Sequence, residues 1–344
     1  MDDKLILVVI IVVVVVLIWF FWRKNNHSHQ VESKKWYNDP NRKSHDIIQQ
    51  HPEAKVKFLP FMRKGKPLIV HTPADFSTDS AQAGSNNWSG YVSANSLTQP
   101  GENSVSNVVG TFVVPSLVPT TGQNDDNVSI WVGIDGAFGT DPTVQQIGID
   151  LSYENGSTVS YAWFEMYPQP AYEINGFPIQ PGDSITVSVS LQLGGNDPFS
   201  LAETKFKQVE NQSELPSSPF GKTNFNQNGT YILKMVNNTQ QVQVTIPTSY
   251  TQNARARGQS AEWIVEAPSE GPDVVALSPF TPAIEWSNCS ATIGSGGNSS
   301  SSTVGPINRF PNVEITMGTP TQVKAQPTSL NSAGTSFSIA WVHT

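Results

Sequence analysis

The chain of 344 residues carries a formal net charge of −8 at pH 7, with one cysteine and six histidines. The acidic excess argues against a nucleic acid as a partner, because phosphates bind basic surfaces. Five histidines lie in the first 84 residues and the sixth is His343, so the region between lacks the material for a histidine-dependent nucleophile or a Cys-His zinc site.

The first feature along the chain is an unbroken apolar run from Leu5 to Trp22, which ends in Trp-Phe-Phe-Trp. Its eighteen residues are enough to span a bilayer as a helix, and aromatic residues favour the membrane interface. The Arg-Lys pair that follows offers no small-residue cleavage site of the kind that signal peptides have. The sequence therefore predicts an uncleaved transmembrane anchor over residues 5–22.

A basic segment follows the predicted anchor. Residues 23–84 contain eleven Lys and Arg against six Asp and Glu, whereas residues 85–344 contain eight against twenty. Opposite charges of this size predict that the two parts bind each other and separate when carboxylates become protonated. A solvated basic linker beside a membrane is the alternative interpretation.

The orientation of the anchor is left open by two conflicting signals. Only Lys4 precedes the span, whereas Arg23 and Lys24 follow it directly, and the positive-inside rule then predicts a cytoplasmic C-terminal region. Eight Asn-x-Ser/Thr triplets after residue 84 are typical of exported proteins.

Residues 85–344 show the pattern of β-structure throughout. Short stretches rich in Val, Ile, Thr, Tyr and Trp alternate with turn residues, such as the Asn228-Gly229 pair before the stretch that begins at Thr230. No segment holds a helical period over three turns. About 260 residues are compatible with one large β-sandwich, and we expect a single domain over 85–344.

Several predicted strands carry an aliphatic face and a polar or aromatic face. They are Trp131–Asp135, Val144–Asp150, Tyr161–Tyr167 and Glu262–Glu266. The aliphatic faces suit a sandwich core, and the other faces suit a wide groove for an extended polymer, either a polypeptide or a polysaccharide. The alternative is an ordinary half-exposed sheet with scattered aromatic residues.

Two of these segments place an amide and a carboxylate on the groove face. Gln146 lies opposite Ile147 and Ile149 in its strand, and Glu266 lies opposite Val265 in its own. An ionised glutamate can take a proton from a water that attacks a carbonyl and return it to the leaving amine. The glutamine amide can donate a hydrogen bond to the oxyanion, and it keeps that capacity in acid.

The chain resembles the glutamic peptidases, or eqolisins, in six ordered blocks that cover most of the region from residue 85 to about residue 290. The blocks are Asn87-Trp88-Ser89-Gly90, Trp131-Val132-Gly133-Ile134-Asp135-Gly136, Gln146-Ile147-Gly148-Ile149-Asp150, Tyr161 to Pro168, Ala261 to Glu266 and Phe280 to Glu285. The resemblance implies a concanavalin-like β-sandwich of two antiparallel sheets, an acid-active endopeptidase, a basic prosegment, and no metal or other cofactor.

The resemblance also implies roles for individual residues. The catalytic pair of the family falls on Gln146 and Glu266. The positions that line the substrate groove are Trp88, Trp131, Asp135, Glu165 and Tyr167. Asp135 and Asp150 could orient Gln146 or tune Glu266, because neighbouring carboxylates raise each other's pKa. The alternative for either residue is an acid that belongs to a turn or a bulge. Ile147 and Met166 depart from residues that are frequent in the family, which concerns the shape of the groove.

These features together predict a monomeric peptidase that acts on polypeptides and is inhibited by its own segment 23–84. We expect it to be membrane-anchored with the catalytic domain outside the cytoplasm, and to be freed by cleavage near Ser85. Two alternatives stay open: a glycoside hydrolase that uses Glu165 and Glu266 as its carboxylate pair, or a carbohydrate-binding module. Cys289 is expected to be buried and unreactive.

Overall fold

The computed structural model describes residues 57–60, 69–70, 82–118, 127–138, 143–154, 157–192, 230–248, 256–270, 273–295, 301–319 and 321–342. The predicted membrane span and residues 23–56 lie outside these ranges. Within the described ranges, no helix is long and apolar enough to cross a membrane.

The described residues form β-strands, with one short 3₁₀ turn at Ile307–Arg309. The strands are β1 (Lys57–Pro60), β2 (Ile69–Val70), β3 (Gln82–Ser85), β4 (Trp88–Ser93), β5 (Val105–Val113), β6 (Ser116–Leu117), β7 (Asn127–Ile134), β8 (Val144–Glu154), β9 (Ser157–Tyr167), β10 (Tyr172–Asn175), β11 (Ser184–Gln192), β12 (Thr230–Asn237), β13 (Val242–Thr248), β14 (Ala261–Glu266), β15 (Ser269–Glu270), β16 (Asp273–Val274), β17 (Phe280–Thr281), β18 (Ile284–Gly294), β19 (Ser302–Gly305), β20 (Asn312–Thr319), β21 (Gln322–Pro327) and β22 (Phe337–Trp341).

One sheet, called the front sheet below, holds strands β20, β4, β14, β7, β8, β9, β10 and β1 in that spatial order. Each neighbouring pair is antiparallel. The strands β7 and β14 at its centre are buried at every residue, so both of their faces are covered by other parts of the chain. A polar side chain on either strand is therefore held away from solvent.

A second sheet, the back sheet, holds strands β13, β12, β11, β5 and β18 in that order, again antiparallel. Its strand β11 alternates strictly, with Ile185, Val187, Val189 and Leu191 buried and the residues between them partly exposed. Strands β21 and β22 pair with each other and link the two sheets. The prediction of an all-β sandwich with two antiparallel sheets is confirmed.

The core lies between the sheets and is filled by large side chains from both. Phe112 and Trp286 of the back sheet meet edge to face, with their ring centroids 5.1 Å apart, and both are almost fully buried. Each such side chain contributes on the order of 2 kcal/mol through its removal from water. Cys289 is also buried, as predicted, and burial raises the pKa of its thiol.

The basic segment predicted for residues 23–84 supplies three strands to this architecture. The strand β1 pairs with β10, β2 pairs with β15, and β3 pairs in parallel with β20. Residues Lys55–Thr344 form one compact unit. The sheet structure therefore begins before residue 85, and β3 extends across that position.

Two glycines of the front sheet make room for the side chain of Trp131. A Cβ atom on Gly148 would lie 2.5 Å from the Trp131 Cβ, and one on Gly133 would lie 2.8 Å from the far ring of the same indole. Real Cβ atoms do not approach other atoms so closely. The side chain of Trp131 therefore occupies the space that side chains at positions 133 and 148 would fill.

We predict that Gly148→Ala destabilises the protein, because the added methyl meets the backbone and Cβ of a buried residue and neither can move freely. Overpacking of this kind costs about 1–3 kcal/mol. The control is Gly84→Ala, at a strand glycine whose added Cβ would have its nearest neighbour 3.6 Å away. Urea unfolding of both variants measures the difference, and equal midpoints would contradict the prediction.

Candidate active site

The outer face of the front sheet carries a second cluster of buried side chains, separate from the sandwich core. Trp88, Trp131, Trp163 and Ile264 belong to it, and the Trp88 and Trp131 rings meet edge to face with centroids 4.8 Å apart. The aliphatic residues that alternate with them, such as Val132 and Ile147, lie in the core between the sheets. The two-faced pattern predicted from the sequence is confirmed.

The strand register arranges the polar residues of this face in two rows. In one row, Gly133 of β7 stands between Gln146 of β8 and Glu262 of β14. In the other, Ser129 of β7 stands between Asp150 of β8 and Glu266 of β14. Gln146 and Glu266 are thus offset by four residues along β7, and Trp131 occupies the position midway between the two rows.

The carboxyl group of Glu266 is held by nitrogen donors. The indole Nε1 of Trp131 donates to Glu266 Oε2 at 2.8 Å, and Asn87 Nδ2 donates to Oε1 at 3.4 Å. The Glu266 side chain is completely buried. Donors on both oxygens orient the carboxyl group and favour its ionised form.

Burial has the larger effect on the proton affinity of Glu266. Loss of water raises its pKa well above the usual range, the hydrogen bond from Trp131 lowers it, and the charges of Glu165 and Asp150 raise it further. Glu165 and Asp150 therefore interact electrostatically with Glu266. In this covered form of the chain, Glu266 therefore holds a proton more tightly than an exposed glutamate does.

The amide of Gln146 is held from the other side. Its Nε2 donates to Glu165 Oε2 at 2.9 Å, and the two residues face each other directly across β8 and β9. Both side chains are completely buried. The hydrogen bond fixes which end of the amide faces Glu165, so the second N–H of Nε2 points in a defined direction.

The indole of Trp131 forms the floor between Gln146 and Glu266. Its far ring covers Gly133, the residue directly opposite Gln146, while its Nε1 reaches Glu266. A planar apolar surface is thus bordered by an amide donor on one side and a carboxylate on the other. A carbonyl group on this floor would lie near both a hydrogen-bond donor and a proton acceptor.

The family model described as the Peptidase A4 family matches residues 86–215 and 222–336, which is more than half of the chain. This chain belongs to the Peptidase A4 family. It is 30% identical over 239 residues to Aspergillopepsin-2 of Aspergillus niger, an alignment that covers 64% of this chain and 67% of that protein. The resemblance to the glutamic peptidases is confirmed, and the chain is a glutamic endopeptidase that hydrolyses peptide bonds.

A solved structure agrees with this at the level of the fold. The chain superimposes on a crystal structure of scytalido-glutamic peptidase with a transition state analog inhibitor, with a TM-score of 0.52 and 21% sequence identity. The match covers 75% of this chain and 98% of the other. The β-sandwich of this Peptidase A4 member therefore accounts for nearly the whole length of that peptidase.

Asp150 stands beside Glu266 in the second row and has its own donors. The hydroxyl of Ser129 and the amide of Asn127 both donate to its carboxylate. These bonds hold a buried carboxylate near Glu266, where its charge raises the pKa of Glu266. The expectation that Asp150 could tune Glu266 agrees with this geometry.

Asp135, predicted to line the groove, is used differently. Its carboxylate accepts hydrogen bonds from the backbone N–H groups of residues 257, 258 and 259 at 2.8–3.0 Å, and from the Thr143 hydroxyl at 3.2 Å. Gln145 Nε2 donates to it at 3.4 Å. Asp135 itself adopts a left-handed backbone with φ of 72°. The structure therefore assigns it to holding the loop before β14, and its carboxylate is not placed among the groove contacts.

Of the other predicted groove residues, three contact each other or the catalytic candidates, and one lies partly exposed at the end of β9. Trp131 and Glu165 contact the catalytic candidates directly, and Trp88 packs against Trp131. Tyr167 is partly buried at the end of β9, where it packs against the outer-face cluster. Trp131 and Glu165 thus act on the two predicted catalytic groups from within the sheet.

Sequence reasoning missed the pairing of Gln146 with Glu165, although a signal existed. An Asn-Gly pair at residues 155–156 is a strong hairpin indicator. Counting outward from Glu154 opposite Ser157 brings Gln146 opposite Glu165. The contact of Asn87 with Glu266 had no such signal, because it joins parts of the chain 179 residues apart.

Sequence reasoning gave no role to Glu262, although it lies on the same face of β14 as Glu266. Its carboxyl group is buried with few hydrogen-bond donors. Its side chain is completely buried. Loss of water raises its pKa well above the usual range, a hydrogen bond from the Ser260 hydroxyl lowers it, and the charge of Asp135 raises it. An ionised Glu262 would therefore be a fully buried charge beside another carboxylate, which is costly.

We predict that Glu262 makes the fold more stable in acid than near neutrality. Because its folded-state pKa lies above the unfolded value of about 4.3, the folded chain binds the extra proton, and stability falls as the pH rises from that value towards the raised pKa. Glu262→Gln should remove this loss, a gain near neutral pH on the order of 1–3 kcal/mol. Thermal unfolding across the pH range measures it.

The matched control for Glu262→Gln is Glu285→Gln, at an exposed strand residue. The control should leave the pH dependence of the melting temperature unchanged. Equal slopes of melting temperature against pH in wild type and Glu262→Gln would contradict the prediction.

Proposed function

We propose that this glutamic endopeptidase works in acid, with Glu266 activating the attacking water and the Gln146 amide stabilising the oxyanion. The observation that carries the proposal is the placement of both groups beside the Trp131 floor, each held by a separate partner. Trp131 Nε1 bonds Glu266 at 2.8 Å and Glu165 bonds Gln146 at 2.9 Å. Such preorganised groups lower the barrier because they need not reorient during the reaction.

The reaction would proceed in two proton transfers. Ionised Glu266 takes a proton from a water molecule as that water attacks the scissile carbonyl carbon, and the resulting oxyanion accepts a hydrogen bond from the Gln146 amide. The protonated Glu266 then gives its proton to the amide nitrogen as the carbon–nitrogen bond breaks. Acid favours the second step, because the released amine leaves in its protonated form.

The raised pKa of Glu266 fits this scheme once the site is opened to water. Burial is the main cause of the raised pKa in the covered chain. When water returns to the face, that cause is removed, while the Trp131 and Asn87 donors that favour the ionised form stay in place. Uncovering the site would therefore lower the pKa of Glu266 and let it ionise, so that it can act as a general base.

We predict that Glu266→Gln lowers kcat by about 10²–10⁴-fold, the usual contribution of a general base. Gln146→Ala should lower it by about 10²–10³-fold, the usual contribution of an oxyanion donor. Casein cleavage over an acidic pH series measures both, with Glu285→Gln as the control. Full activity in either active-site variant would overturn the mechanism.

We also propose that the basic segment acts as an inhibitory prosegment. Gln146, Glu165 and Glu266 are completely buried in the full chain, so no polypeptide reaches them in this form. The basic segment pairs with the front sheet at β10 through β1 and with the strand just after Glu266 through β2. The strands that β1 and β2 pair with, β10 and β15, thus follow different strands of the candidate site, β9 and β14.

Acid would release this prosegment, because protonation of carboxylates on the acidic domain removes their attraction for the basic segment. Cleavage at Ser85 itself is not favoured by its surroundings. Ser85 is buried, its hydroxyl accepts the backbone N–H groups of Asn87 and Trp88, and β3 is paired with β20. A cut before Gln82 would leave β3 in the sheet.

We predict that acid incubation of the full chain yields a product that begins between Val70 and Gln82. Mass spectrometry and N-terminal sequencing identify the product. Glu266→Gln should stay uncut alone and be cut when wild type is added. An intact wild-type chain with full activity would contradict the role of the segment.

We propose in addition that residues 5–22 anchor the chain in a membrane, with the peptidase domain outside the cytoplasm and monomeric. Cleavage before Gln82 would then free the domain from its anchor.

A further inference from the structure

The strand β10 is an edge of the front sheet that another extended segment completes. On one side it pairs with β9 through Tyr172 and Glu173 only. On its other side it pairs with β1 along four residues, from Lys57 opposite Asn175 to Pro60 opposite Tyr172. Without β1, the outer backbone groups of β10 would lack their strand partner.

The family match explains why this edge would be open in the processed enzyme. The matched region begins at residue 86, so β10 belongs to the peptidase domain whereas β1 belongs to the proposed prosegment. Removal of residues before Gln82 would remove β1 with them. The edge would then be free to accept a different extended chain by main-chain hydrogen bonds.

The direction of β1 shows which way a chain on this edge runs relative to the candidate site. Pro60, the C-terminal residue of β1, stands opposite Tyr172 of β10. Tyr172 pairs in turn with Phe164 of β9, and Phe164 pairs with Ile147 of β8. The next pair along β8 and β9 is Gln146 with Glu165. A chain antiparallel to β10 therefore runs in its N-to-C direction towards the row that holds Gln146 and Glu165, with β10 and β9 between the chain and β8.

The chemistry of β10 also suits an added strand in acid. Glu173 stands in the middle of the edge, opposite Leu59, and burial raises its pKa to about 7. In acid the carboxyl group is neutral, so a strand laid beside it buries no charge. The other members of the pairing, Tyr172, Ile174 and Asn175, carry no charge in acid.

We propose that β10 is a binding edge for substrate, which takes the residues on the N-terminal side of the scissile bond as an added antiparallel strand in place of β1. The inference rests on the proposed function of the site, and it extends that function from the reaction to substrate length and direction. Because main-chain groups make the bonds, the edge selects for an extended conformation and not for particular side chains. Long unfolded polypeptides are the substrate class that this edge favours.

The test compares two peptide substrates with the same residues around the scissile bond, one of which carries six additional residues on its N-terminal side. The enzyme is the full chain incubated in acid until its mass stops changing. We expect the extension to raise kcat/KM about tenfold, which corresponds to about 1.4 kcal/mol. The same extension on the C-terminal side should give no gain that depends on backbone N–H groups.

Methylation of single backbone nitrogens within the extension identifies the source of the gain. In an antiparallel pair, only alternate residues direct their N–H groups at the partner strand. Methylation at one set of alternate positions should abolish the gain, and methylation at the other set should leave most of it. No gain from the extension, or a gain that is insensitive to methylation at both sets, would overturn the proposal.

The short substrate separates this proposal from the mechanism. Cleavage of the short substrate that is lost in Glu266→Gln supports the catalytic pair whatever the extension does. If wild type cuts neither the short nor the long substrate, the result overturns the proposed function, and it also overturns the edge proposal that rests on it.

Discussion

The candidate active site depends on the way Trp131 lies across the central strands. Its indole covers Gly133 and its Cβ lies against Gly148, where a side chain on either glycine would collide with it, and the indole nitrogen reaches Glu266 at 2.8 Å. Packing and chemistry are therefore joined in one residue. A change that moves the ring alters the floor of the groove and also removes a donor from a buried carboxyl group, which is an expensive loss in a low-dielectric site.

Buried carboxyl groups give this sheet its acidic character, and each is compensated to a different extent. Asp135 accepts three backbone N–H groups and two side-chain donors. Glu266 accepts nitrogen donors from Trp131 and Asn87, and Glu262 has the Ser260 hydroxyl as a donor. In all three cases burial is the first cause of a raised pKa. Raised pKa values of buried carboxyl groups make the folded state more stable in acid, where these groups are protonated. Acidic conditions, in which this peptidase is proposed to act, therefore also favour the fold.

Strand alternation made the two faces of the front sheet predictable, because a period of two assigns every residue of a strand once one residue is assigned. The faces of Gln146, Ile147 and Trp131 could be read in this way. Alternation could not reveal the backbone partners of Asp135, since they lie in a loop more than 120 residues away. Alternation also gave no information on hydrogen-bond partners. Glu262 and Glu266 share one face of β14, yet only the structure shows which donors each carboxyl group has.

The N-terminal segment is attached through two short strand pairings that support each other. The strand β1 contributes four paired residues and β2 contributes two, and hairpin-sized pairings are marginal in water on their own. Joined by one chain, they hold each other in place, because the first contact keeps the second at a high local concentration. A cut anywhere between Pro60 and Ile69 would separate β1 from β2. The strand β1 would then be held by its four paired residues alone, whereas β2 would stay joined to the domain through the chain that leads to β3.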